Sequence, residues 1–151
     1  MSDAPTDAVG LTGMATKRRP VGVWIVSVYF ALSITGTVIS LAELLAGELT
    51  LTRAQQDYFE TLGPTDYIGG ATTLLLSSWA AVELFRLRAR AVRILFVVLV
   101  LNVGASLYHL LATNWSDALG MTGLASVTAG LSVLAVILVY AWTLERRGVL
   151  A

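Results

Sequence analysis

The chain has 151 residues, 56% of them hydrophobic and only 13% charged, with a mean hydropathy of +0.76. A soluble domain is about 25% charged, so this chain has too few charges to cover a core of its size. Ten basic and ten acidic residues cancel, which argues against a nucleic-acid partner, and the absence of cysteine excludes disulfides, thiolate metal sites and dithiol redox chemistry.

Taken in chain order, residues 1–19 combine Ser, Asp, Thr, Gly, Pro and Ala with the basic triplet Lys17-Arg18-Arg19 and predict a disordered tail. A first span is expected at about residues 20–45. Its uncharged stretch from Pro20 to Ala42 covers 23 residues, which reach about 34 Å at 1.5 Å per residue against a hydrocarbon core of about 30 Å. That is too long for a secretory signal, so it reads as an uncleaved anchor. Thr52-Arg53-Ala54-Gln55 then forms a capping-box pattern, and Gly63-Pro64 is a stop signal. Together they predict a short helix from Arg53 to Leu62. Leu51, Ala54, Tyr58, Phe59 and Leu62 gather on one side of it, as expected of a helix lying at the bilayer interface. Asp66 is placed to N-cap the second span, expected at about residues 67–85 with Glu83 snorkelling near its end.

The third and fourth spans are expected at about residues 93–113 and 119–144, followed by a terminus at 148–151. Soluble helical hairpins would show a polar stripe every three to four residues. Ile94-Leu95-Phe96-Val97-Val98-Leu99-Val100-Leu101 shows none. The expected fold is therefore all-α: a polytopic membrane protein, one domain over residues 20–147, built as an antiparallel bundle of four transmembrane helices with a short external interfacial helix.

Charge placement sets the expected orientation. Lys17, Arg18, Arg19, Arg86, Arg88, Arg90, Arg93, Arg146 and Arg147 fall on one side of a four-span chain, and only Arg53 falls on the other. The positive-inside rule puts both termini in the cytoplasm. The inner side then carries +5 and the outer side −5, with histidine counted neutral. Arg86, Arg88, Arg90 and Arg93 also suit contact with anionic lipid headgroups. Trp24, Trp115 and Trp142 match aromatic-belt positions, while Trp79 lies deeper.

Small residues recur at helical spacing: Gly69, Thr73, Ser77 and Ala81; Thr122, Ser126 and Gly130; and the seam Gly22, Val26, Tyr29, Ser33, Gly36, Ser40, Glu43. Such ridges are expected to pack helix against helix. The third span carries Asn102, Ser106, His109 and Thr113 on one stripe. Glu43 and His109 sit at similar depth, so Glu43, His109, Asn102 and Ser106 are the candidate polar or ligand site, read chiefly as a clip between helices. Asn102 is expected to donate to a neighbouring helix, and Glu83 to pair with Arg86 or Arg90.

One histidine excludes a bis-histidine haem and multi-histidine metal centres within a chain. No nucleophile elbow, phosphate loop or zinc-protease motif is present, so no catalytic residue, metal or cofactor is expected. Pro20-Val21-Gly22-Val23-Trp24-Ile25, the loop Leu51 to Phe59, Leu84-Phe85-Arg86-Leu87-Arg88, Asn114-Trp115 and Tyr140-Ala141-Trp142 occur in that order. In this pattern the chain resembles small four-span bacterial inner-membrane proteins of unassigned function, a resemblance that implies topology only. Small multidrug exporters place a glutamate in the middle of their first span, where this chain reads Phe30-Ala31-Leu32-Ser33-Ile34-Thr35.

The expectation is a non-enzymatic structural or accessory subunit of a larger assembly in the bacterial inner membrane. Its partners would be membrane lipids and either another membrane protein or further copies of the chain. The alternative is a small oligomeric transporter or channel. A polar cavity reaching mid-membrane separates it from an accessory protein, which should be packed dry between Asn102 and His109.

Overall fold

The computed structural model describes residues 19–48, 50–113 and 115–150; of the tail expected over residues 1–19, only Arg19 lies within them. Among the described residues there are five helices and no strand: α1 (Val21–Ala46), α2 (Arg53–Thr61), α3 (Pro64–Phe85), α4 (Arg90–Ala112) and α5 (Trp115–Arg146). All but α2 are long and apolar enough to cross a membrane, and only 11–17% of their most apolar windows is buried within the protein. So much uncovered apolar surface requires a lipid solvent. The chain is a helical membrane protein.

Local chemistry explains where each helix starts and stops. α1 ends at Gly47, whose φ of 73° lets its N–H and that of Glu48 turn back onto the carbonyls of Leu44 and Glu43. α2 is opened by the predicted capping box: Thr52 Oγ1 accepts from the Gln55 N–H at 3.4 Å, and Gln55 Oε1 accepts from the Thr52 N–H at 2.9 Å.

α3 begins earlier than expected. Pro64 occupies its first turn, where a missing N–H costs nothing, and Asp66 accepts from the Gly63 N–H at 2.8 Å from inside the helix. Asp66 therefore braces the helix start as its third residue and is not the N-cap itself. α4 also starts early, at Arg90, so both Arg90 and Arg93 lie on the helix. α5 starts at Trp115 but breaks at Gly120, where φ 62° and ψ −176° describe a backbone open essentially to glycine alone.

The end of α3 shows how the short link to α4 is made. Leu87 adopts φ 58°, a left-handed conformation costing a non-glycine residue roughly 1–2 kcal/mol. In return the Leu87 and Arg88 N–H groups satisfy the carbonyls of Leu84 and Glu83, and the Leu87 side chain is buried. This turn folds Arg88 back over Glu83, giving a 3.3 Å ion pair. The expected partners Arg86 and Arg90 do not fill that role, because helical spacing stops at Phe85.

α3 lies between α1 and α4, α4 also packs on α5, and α2 rests on α5. The packed core is confined to the end where α1 begins and α3 and α5 finish. There Val23, Val26 and Phe30 meet Ala80 and Leu84, together with Ala91, Leu95, Val98, Ile137 and Ala141. Phe85 is held between the Arg19 guanidinium, 4.0 Å from its ring centre, and the edge-on ring of Trp24 at 5.0 Å. Gly22 is pressed against the Tyr140 side chain, so a larger residue there would have to displace that ring.

Towards the α2 end the packing thins. Residues 31–42 of α1 are exposed at every position except Ile34. Small residues expected to seat neighbouring helices do not do so here: a Cβ added at Gly36, Gly69 or Gly130 would meet nothing within 4 Å. Among the described residues no side-chain hydrogen bond joins two of the long helices either. Asn102 Nδ2 donates to the Val98 carbonyl of its own helix at 2.8 Å, not to a neighbour, and Ser77, Thr37 and Ser132 likewise donate four residues back. These four side chains thus meet their hydrogen-bond need within their own helices, and the helices are held together by apolar packing at one end.

Candidate functional site: a cleft among the four long helices

Where the helices part, they enclose a cleft of about 980 Å³, lined by residues of α1, α3, α4 and α5. Its floor is Phe30, Val98 and Leu134, all part of the packed core. Its walls carry Ser33 and Thr37 from α1, Gly69, Thr73 and Ser77 from α3, and Asn102, Gly104 and Tyr108 from α4. Asp66 and His109 stand at the α2 end. Eleven residues of helix separate Asp66 from Ser77, so the cleft runs about 16 Å along α3. That is about half the hydrocarbon thickness of a bilayer.

The gaps left by glycine make this space. Gly69, Gly70, Gly104 and Gly130 all line the cleft, and none of those at positions 69, 70, 104 and 130 has a neighbour against its open side. Gly69 and Gly130, which read as parts of packing ridges, therefore widen a cavity instead. At the floor, larger branched and aromatic side chains interdigitate and close it.

The rim joins four elements. His109 Nε2 lies 3.8 Å from Asp66 Oδ1, inside ion-pair range but beyond a hydrogen bond. Both side chains are mostly covered, with 15% and 21% of their surface exposed. Three rings surround the imidazole: Tyr58 of α2 at 6.0 Å, Tyr108 of α4 at 5.3 Å and Trp115 of α5 at 6.1 Å between centres. His109 Nδ1 is buried with no hydrogen-bond partner among the described residues. Burial pushes the Tyr58 phenol above the ordinary tyrosine value, with further contributions from the Asp66 and Tyr67 charges. The phenol therefore stays un-ionised at neutral pH.

α2 is held against the protein by Leu51, Tyr58, Phe59 and Leu62, all half-buried. Ala54, expected on the same face, is exposed, and Gln55 is half-buried in its place. Much of the apolar side of α2 is thus turned to α5 and His109.

The candidate residues read from the sequence divide. Asn102 and His109 line the cleft; Ser106, half-buried on α4, does not, and Glu43 at the end of α1 stands away from it. The carboxylate near His109 is Asp66. Its depth was legible, one turn inside the helix that follows Gly63-Pro64, but its role as a helix brace accounted for it and hid the second one. Arg86, Arg88, Arg90 and Arg93 are all exposed at the opposite end. Among the described residues no three His, Cys, Asp or Glu side chains gather as metal ligands would. No protein-family model, no curated protein and no solved structure matches the chain.

Proposed function

We propose that the chain is a small non-enzymatic carrier of the bacterial inner membrane that takes up a ligand in this cleft. In this reading the four long helices form an antiparallel bundle with both termini in the cytoplasm. Among the described residues, Arg19, Arg86, Arg88, Arg90, Arg93, Arg146 and Arg147 flank the packed end and only Arg53 lies at the other, so the positive-inside rule turns the cleft outward. The observation that carries the reading is the cleft itself, about 980 Å³ reaching Asn102 and Ser77, where an accessory protein should be packed dry. The sealed floor of Phe30, Val98 and Leu134 then corresponds to the closed inner side of an alternating-access cycle.

A second reading, an accessory subunit or a homo-oligomer, draws on α1. Its residues 31–42 are exposed almost throughout and offer a long face to another helix.

The natural absence of cysteine makes the test direct. Single cysteines at Thr73, Ser77, Leu84 and Leu95 are treated with a membrane-impermeant maleimide applied outside intact cells. Labelling of Thr73→Cys and Ser77→Cys, which line the cleft, with the fully buried Leu84→Cys and Leu95→Cys unreactive, is the expected result. If positions 73 and 77 react only after the cells are opened, the outward orientation is wrong. If they react under neither condition, the cleft is not a water-accessible site and the carrier reading falls.

A further inference from the structure

The walls of the cleft carry an unbalanced charge. Asp66 is the only formally charged side chain among the described lining residues when histidine is counted neutral, and no lysine or arginine lines the space. Its Oδ2 accepts from the Gly63 N–H at 2.8 Å, while Oδ1 has only His109 Nε2 near it, too far away to donate. A mostly covered carboxylate at the head of a membrane helix, short of a partner, favours a cation. Tyr108, one of the three rings around the neighbouring His109, also lines the cleft and presents a π-system to which a cation is attracted. Below the rim, the floor of Phe30, Val98 and Leu134 is apolar and suits a hydrocarbon body. The whole α2 side carries −5, which concentrates cations at the mouth.

We propose that the cleft binds a lipophilic monovalent organic cation, its charge paired with Asp66 at the rim and its apolar body lying against Phe30, Val98 and Leu134. This rests on the carrier reading and specifies what is carried. An inorganic cation would leave the apolar floor unused, and an anionic amphiphile would meet Asp66 with no lysine or arginine in the lining to receive it.

The test uses the full chain purified in a neutral detergent and three probes of similar shape. These are tetraphenylphosphonium, its anionic counterpart tetraphenylborate, and neutral triphenylphosphine oxide. Binding is followed by equilibrium dialysis against protein-free micelles. Asp66→Asn keeps an acceptor for the Gly63 N–H and removes only the charge, so the helix start is retained; Asp66→Glu restores the charge. Saturable tetraphenylphosphonium binding, weakened roughly ten- to hundredfold by Asp66→Asn and recovered by Asp66→Glu, is expected. Tryptophan fluorescence melts of each variant report whether it is folded. Equal binding of all three probes, or phosphonium binding indifferent to Asp66→Asn, overturns the cation inference and leaves a cleft that binds without charge selection. Saturable binding of none of them overturns both the inference and the carrier reading.

Discussion

At the scale of single residues, the costly groups of this protein are Glu83 and Asp66, and each is managed differently. Glu83 is 4% exposed and has one partner, Arg88, brought to it by the left-handed turn at Leu87; its second oxygen has none among the described residues. Removing Arg88 leaves a buried carboxylate alone, whereas removing both charges leaves little to penalise. Arg88→Ala is therefore expected to destabilise the protein by about 1–2 kcal/mol, a value kept small because the arginine is half exposed to water. The same change in a Glu83→Gln background should cost under about 0.5 kcal/mol. Tryptophan fluorescence during unfolding in mixed micelles measures both, and equal costs in the two backgrounds would show that the pair does not matter. The glutamate was legible in the sequence, but its partner was not. Helical spacing pointed to Arg86 and Arg90, and no pattern announced that a leucine would adopt the conformation usually left to glycine.

At the scale of elements, the boundaries follow rules that can be read from a few neighbouring residues. Thr52 with Gln55, Pro64 after Gly63, and Gly47 each act through the nearest backbone groups. α2 depends most on such chemistry, since its nine residues are too few to be stable alone. Thr52→Ala should cost it about 1 kcal/mol. The expected signature is faster amide hydrogen exchange across residues 53–61, with no change from 94 to 101. Because Tyr58 rides on α2, the same variant should also loosen the ring cage around His109. Unchanged exchange in α2 would mean that its docking on α5, and not the cap, holds it. The face of α2 was less legible than its ends. Interface and protein surface both reward Tyr, Phe and Leu, so composition alone did not show that α5 would receive them.

At the scale of the whole molecule, the packing is one-sided, and this asymmetry creates the candidate site. Large side chains fill the space between helices near the termini; glycine, serine and threonine leave it open towards α2. Leu95, fully buried at the tight end, is expected to cost about 2–4 kcal/mol when changed to Ala. Leu111, 85% exposed at the loose end, should cost less than about 0.5 kcal/mol for the same change. Unfolding titrations in one detergent compare the two directly, and similar losses would argue that the helices are packed along their full length.

The sequence by itself determined the solvent of this protein, the number of apolar helices and most of their ends. Those properties depend on composition and on contacts within four residues along the chain, which a linear reading captures. It also showed where the charges lie along the chain. Only the tertiary structure decided whether the small-residue ridges would close or open. A glycine or serine stripe looks the same whether a neighbouring helix fills it or a cavity does, because the difference lies in the side chain opposite. Phe30, Leu84 and Leu95 supply that side chain at one end, and none is supplied at Gly69, Gly104 and Gly130. For the same reason His109 acquired Asp66 instead of Glu43. Both acids stand near the same end of the chain's helices in sequence, and the placement of α3 beside α4 brings Asp66 to His109.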